Sequence, residues 1–237
     1  MTRTLLLVSN SILHGGGYLD HCIEEFKEIL KDKTNIVFIP YARPGGISHD
    51  DYTKIARKRL EKIGKNVTGI HEFKSPKEGI KNADAVFTGG GNTFVLLHDL
   101  YESGIITGIR TRVEQGMPYI GTSAGSNVAC ISIKTTNDMP IMFPPSFDAL
   151  KLVPFNITPH YLDPDPGSTH MGETRETRIK EFHVYNDEYV IGLREGAMLH
   201  IIGETVTLKG STGARVFTKN DEAKEYKPGD RLDFLLK

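Results

Sequence analysis

Short apolar runs alternate along the chain with longer segments in which apolar residues return every three or four positions. Residues 5–8 and 36–39 are unbroken apolar runs of strand length, the pattern of strands covered on both faces. Between them Leu19, Cys22, Ile23, Phe26, Ile29 and Leu30 fall at helical spacing, with Glu24, Glu25, Lys27 and Glu28 opposite. That periodicity predicts a covering helix. A second helix is predicted to start at Ser48, whose side chain can cap it with Asp51 three residues on, to run through Ile55, Leu60 and Ile63, and to stop at Gly64. Further strands are expected over 67–73, 85–88, 119–122 and 155–158, with a helix over 93–100. Strands alternating with helices in this way predict a doubly wound α/β fold around a mostly parallel sheet.

Past Tyr189 the texture changes to short runs separated by turn residues, over 190–193, 198–202, 205–208 and 215–217. These predict extra β-strands or hairpins appended to the parallel sheet near the C-terminus. With 237 residues, 38% of them hydrophobic, one domain spanning 1–237 can bury a full core. No stretch reads as a linker, a repeat or a low-complexity segment.

Charge narrows the function classes. The formal net charge is −1 and the basic residues are scattered, so nucleic acid is not an expected partner. Two cysteines, Cys22 and Cys130, are too few for a disulfide framework and have no metal-ligand spacing around them. They are expected in the core, and no metal or other cofactor is implied. The apolar run at 5–8 is too short for a membrane span or signal-peptide core, so the expected location is the cytoplasm and no membrane is an expected partner.

In doubly wound sheets, sites lie beyond the carboxyl ends of the strands, and two features fall there. The predicted strand 119–122 runs into Ser123 within Gly121-Thr122-Ser123-Ala124-Gly125, followed by a helix-compatible run. Small flanking residues let a strand turn sharply into a helix, so that the serine hydroxyl projects and the next backbone N–H can face an oxyanion. The second is Gly89-Gly90-Gly91-Asn92, also between a strand and a helix. Its glycines can aim N–H groups at a negative centre, but it lacks the Gly-Lys-Ser/Thr ending of a P-loop. It reads as a second oxyanion donor or as a tight turn.

A serine nucleophile needs a base, and the base an orienting acid. Of nine histidines, His160 is placed best, at a strand end in Asn156-Ile157-Thr158-Pro159-His160; His71, His170 and His183 stay open on local grounds. For the acid, Asp138 and Glu195 both lie just outside regular elements. Spacing does not choose between them.

Several motifs in order now resemble one family. Residues 119–127 around Ser123, the loop Gly89-Gly90-Gly91-Asn92-Thr93-Phe94, Thr135-Thr136-Asn137-Asp138-Met139-Pro140, residues 156–160, Gly172-Glu173-Thr174-Arg175, Ser9-Asn10-Ser11 and Ile191-Gly192-Leu193 together resemble the peptidase E family of serine peptidases, family S51. The resemblance implies a fold related to class I glutamine amidotransferases, with serine in place of cysteine, and removal of N-terminal aspartate from dipeptides without a metal. It implies Ser123 as nucleophile, His160 as general base, and Asp138 slightly ahead of Glu195 as the third member. It further implies an oxyanion hole from Ala124 N–H and an N–H of Gly90 or Gly91, and Arg175 as the partner of the substrate's aspartate carboxylate, a geometry that guanidinium suits. A solvated helix residue is the competing reading of Arg175.

The segment 161–170, rich in Pro and Asp, need not match other members of that family, and it bears on substrate preference. Two further readings remain: a cyanophycinase-like hydrolase of aspartyl-arginine linkages, and a non-catalytic α/β protein whose glycine loop binds a nucleotide or another anion. The sequence leaves the oligomeric state open, a homo-oligomer included.

Overall fold

The computed structural model describes residues 3–165, 167, 169 and 171–237. In chain order its elements are β1 (Thr4–Val8), α1 (Ile23–Ile29), β2 (Asn35–Ile39), α2 (His49–Glu61), β3 (Asn66–Gly69), α3 (Pro76–Asn82), β4 (Ala85–Thr88), α4 (Thr93–Glu102), α5 (Ile106–Glu114), β5 (Tyr119–Thr122), α6 (Ala124–Ala129), β6 (Asn156–Pro159), α7 (Arg175–Tyr185), β7 (Val190–Leu193), β8 (Ala197–Ile202), β9 (Thr205–Gly210), β10 (Ala214–Phe217) and β11 (Lys224–Tyr226).

Seven strands form the main sheet in the order β3-β2-β4-β5-β1-β8-β9. The first five pair in parallel, and the β8–β9 hairpin adds antiparallel against β1. The unbroken apolar runs are explained by cover on both faces. In β1, Leu5 and Leu7 enter one core and Leu6 and Val8 the other; β2 divides in the same way, with Val37 and Ile39 against Ile36 and Phe38. Phe26, Ile29 and Leu30 of the α1 segment and Tyr52, Ala56 and Leu60 of α2 cover one face. The other face takes Ile80 of α3, Leu96, Leu97 and Leu100 of α4, Ile109 and Val113 of α5, and Val128 and Ala129 of α6.

The Ser48 cap is present: Ser48 Oγ accepts the Asp51 N–H at 3.0 Å. Other expectations are corrected. The segment 19–30 is not one helix, because Leu19 takes φ +59° and a 3-10 turn over Asp20–Cys22 precedes α1. Ile55 is exposed rather than on the buried face of α2. The strand expected over 67–73 stops at Gly69, and Ile70–Glu72 form a 3-10 turn; the fully buried Ile70 prolongs the apolar run without prolonging the strand. The C-terminal strands do not all join the parallel sheet. β7, β10 and β11 pair with β6 in a second sheet, in the order β11-β10-β7-β6, with β6 and β7 parallel. Its inner residues Ile157, Ile191, Leu193 and Val216 pack into the main core, while Val190 and Phe217 meet Ile179 of α7.

Candidate active site

The carboxyl ends of β4, β5 and β1 lie side by side, and the site is built there. Ser123 sits between β5 and α6 at φ +53°, ψ −113°, a backbone conformation costly for a residue with a side chain and kept only where its surroundings enforce it. Two contacts do so. Ser123 N–H donates to Val8 O at 3.0 Å, and Gly125 packs so closely on β4 that a Cβ there would lie 2.2 Å from Thr88 O. Ser126 Oγ braces the same turn, 2.8 Å from Val8 O and 2.9 Å from Gly121 O.

His160 follows β6. Its Nε2 is 2.9 Å from Ser123 Oγ, and its Nδ1 is 2.6 Å from Glu195 Oε1. The three side chains form a chain in which the imidazole bridges hydroxyl and carboxylate, the arrangement that lets a base take a serine proton and then carry charge. Both His160 and Glu195 are about half exposed.

Asp138, expected slightly ahead of Glu195, lies elsewhere. Its Oδ2 accepts the Thr93 N–H at 2.7 Å and the Thr136 hydroxyl at 3.2 Å. The free N–H groups at the start of α4 draw a carboxylate there. Asn92 Oδ1 completes that cap, accepting from Phe94 and Val95 N–H at 3.0 and 3.1 Å. Of the other candidates, His71 Nε2 meets Asp50 at 2.8 Å and His183 Nε2 lies 3.0 Å from Glu188 O. His170 lies outside the described residues.

The glycine loop reaches Ser123, since a Cβ on Gly90 would stand 2.9 Å from Ser123 Cβ. Its N–H groups are not equivalent. Gly90 N–H donates to Tyr52 Oη at 3.0 Å, and that hydroxyl donates back to Gly90 O at 3.2 Å. Among the described residues no acceptor meets the N–H of Gly91 or of Ala124. Gly91 takes φ +146° and a Cβ there would lie 2.1 Å from Ala42 O, so the position admits no side chain. Arg43 flanks the loop, its Nε 3.3 Å from Gly90 O and its guanidinium over the Tyr52 ring.

Arg175 opens α7, whose cap is Thr174. Its Nη1 donates to Asn137 Oδ1, and Asn137 Nδ2 donates to Pro159 O at 3.3 Å, one residue before His160. Burial, with the nearby Arg178 charge next, pulls its pKa below the usual arginine value, and Asp138 opposes the shift. It borders two clefts of about 450 and 360 Å³, whose walls also carry Arg178 and Glu173; neither is lined by Ser123 or His160. Asp163 of the neighbouring segment is held bidentately by Arg194 at 2.7 Å, which keeps its carboxyl below the usual range.

Sequence reasoning missed two contributors. Ser9 Oγ accepts the His160 N–H at 2.9 Å, and Asn10 Oδ1 accepts the Gly196 N–H at 2.8 Å. Both residues are buried, and a polar Ser-Asn pair directly after the apolar run 5–8, at a strand's carboxyl end, was the available signal. Among the described residues no group of His, Cys, Asp and Glu is arranged to hold a metal ion, and no helix is long and apolar enough to cross a membrane.

Comparisons with known proteins give the family of the chain. Residues 5–209 match the model of peptidase family S51. A Streptomyces coelicolor protein named "Peptidase E" is 48% identical over 232 residues, covering 98% of this chain and 94% of its own. A Drosophila melanogaster protein named "Probable alpha-aspartyl dipeptidase" is 47% identical, covering 99% of this chain and 98% of its own. The crystal structure of a peptidase from an acI-B1 actinobacterium superposes with a TM-score of 0.74 at 18% identity, over 98% of this chain and 97% of that one, which speaks to the fold alone. On the family match and the full-length relatives, the chain belongs to peptidase family S51.

Proposed function

We propose that the protein is a serine dipeptidase that releases N-terminal aspartate from small peptides. The observation that carries the reading is the Ser123–His160–Glu195 chain, 2.9 and 2.6 Å long at its two links, in a chain whose relatives include one named for alpha-aspartyl dipeptidase activity. In this mechanism His160 Nε2 takes the Ser123 proton as Oγ attacks the carbonyl carbon of the aspartyl residue. Glu195 faces the Nδ1–H of the imidazolium that forms. The tetrahedral oxyanion is held by Gly91 and Ala124 N–H, while Gly90 N–H stays with Tyr52 and fixes the loop. His160 then returns the proton to the leaving amine, and water, deprotonated by the same imidazole, hydrolyses the aspartyl ester.

Arg175 takes the aspartate side-chain carboxylate, and Asp138 holds the start of α4 and the loop that Arg175 adjoins. The two cysteines are free and buried, which suits a reducing compartment, and on that ground we place the protein in the cytoplasm. The test compares an aspartyl dipeptide with its asparaginyl counterpart, with a chelator present, for wild type and Ser123→Ala. Cleavage of the aspartyl peptide that survives chelation and disappears in the variant supports the reading. Equal cleavage of both peptides removes the aspartate specificity, and full turnover by Ser123→Ala removes the mechanism.

A further inference from the structure

We propose that Ser9 and Asn10 are positioning residues of this reaction, fixing His160 and Glu195 against the strand that also holds Ser123. The inference rests on the serine-peptidase reading above. Three consecutive residues at the end of β1 each grip one arm of the site. Val8 O receives the Ser123 N–H at 3.0 Å. Ser9 Oγ receives the His160 N–H at 2.9 Å and itself donates to Leu193 O at 2.8 Å. Asn10 Oδ1 receives the Gly196 N–H at 2.8 Å, while its Nδ2 donates to Ile12 O at 2.8 Å.

The placement matters because the reacting groups come from two sheets. Ser123 ends a strand of the main sheet, whereas His160 and Glu195 follow β6 and β7 of the second. Ser9 is the polar joint between them. It ties the residue after β6 to the last residue of β7, and Leu193 O also receives the Tyr161 N–H at 3.1 Å. Asn10 closes the far side of Glu195, so the turn that carries the carboxylate is pinned on both sides. Thr212 Oγ1 adds a bond to Glu195 O at 2.6 Å.

His160 needs such a clamp, since its backbone adopts φ +52°, a conformation non-glycine residues keep only when the surroundings impose it. Ser9 is fully buried and Asn10 is 1% exposed, so water cannot replace either acceptor.

The experiment measures dipeptide turnover and the rate at which a fluorophosphonate labels Ser123, in Ser9→Ala, Asn10→Ala and each combined with Glu195→Gln. Misplacing the base by a fraction of an ångström is expected to lower kcat and the labelling rate by about 10- to 100-fold with KM little changed. Combined with Glu195→Gln, each substitution should cost far less than it does alone, because both act through one imidazole. The downfield His160 Nδ1–H proton resonance should weaken or shift in Ser9→Ala. Should Ser9→Ala fail to fold, Ser9→Cys keeps the shape with a weaker acceptor and provides the same comparison. A folded Ser9 variant with kcat within about twofold of wild type, or a loss that multiplies undiminished onto Glu195→Gln, overturns the proposal; a merely structural role would move Tm and nothing else. A wild-type protein that is not labelled at all overturns the serine reading itself.

Discussion

Exchanging Glu195 for Gln keeps the shape of the side chain and removes its charge, and the structure sets the size of the response. The carboxylate lies 2.6 Å from His160 Nδ1, and hydrogen bonds to a charged group contribute about 1.5–3 kcal/mol. The two side chains are 45% and 49% exposed, so water replaces part of what is lost, and the lower end of the range applies, about 1.5–2 kcal/mol. At about 1.36 kcal/mol per tenfold in rate, that is roughly a 10- to 30-fold fall in kcat. The fall should appear equally in the labelling of Ser123 by a fluorophosphonate, which needs no substrate pocket. Asp138→Asn is the matched comparison. It removes a charge from the start of α4 and from the surroundings of Arg175, so its effects should fall on Tm and on KM for the aspartyl peptide, with labelling within about threefold of wild type. If Asp138→Asn abolishes labelling while Glu195→Gln leaves it within twofold, the assignment of the third member is wrong.

Other outcomes follow from specific contacts. Gly91→Ala should lower turnover by two orders of magnitude or more, or prevent folding, since its Cβ would stand 2.1 Å from Ala42 O and push a proposed oxyanion donor out of place; turnover and Tm together separate the two results. Arg175→Gln should raise KM for aspartyl peptides and narrow the aspartyl-to-asparaginyl preference, measured as a ratio of kcat/KM values; an unchanged ratio rejects its role. Acidification should destabilise the fold. Burial lowers the pKa of His21, His49 and His200, so the unfolded chain binds more protons than the folded one as the pH falls through the ordinary histidine pKa, and stability present above it is lost below. Tm should therefore drop between about pH 7 and pH 5, and His200→Gln should flatten part of that slope in a thermal melt.

How much of this was legible depended on how local the information is. The parallel strands could be read because a strand covered on both faces has no polar alternation to hide it, as 5–8 and 36–39 show. The cap at Ser48 and the turn at Ser123 are also local. The choice between Asp138 and Glu195 is not. Both look like loop carboxylates, and what separates them is that β7 pairs with β6 and so carries residue 195 to the imidazole, while the N–H of Thr93 at the start of α4 captures residue 138. Ser9 and Asn10 were visible as part of a resemblance but had no evident task, since each bonds to chain about 150 or more positions away. The helix α7 entered only as the competing reading of Arg175, because its surface is mostly charged, with Ile179 and His183 as its buried residues.

The division of the site between two sheets also orders events during synthesis. The elbow at Ser123 and all five parallel strands are encoded by residue 123 of 237, whereas His160 and Glu195 arrive later, and the β8 strand that flanks β1 later still. A nascent or truncated chain ending before β7 would carry a formed serine turn with no complete base beside it. On the proposed mechanism, hydrolytic competence is a property of the finished chain, and a ribosome-bound fragment would be inert toward the peptides around it.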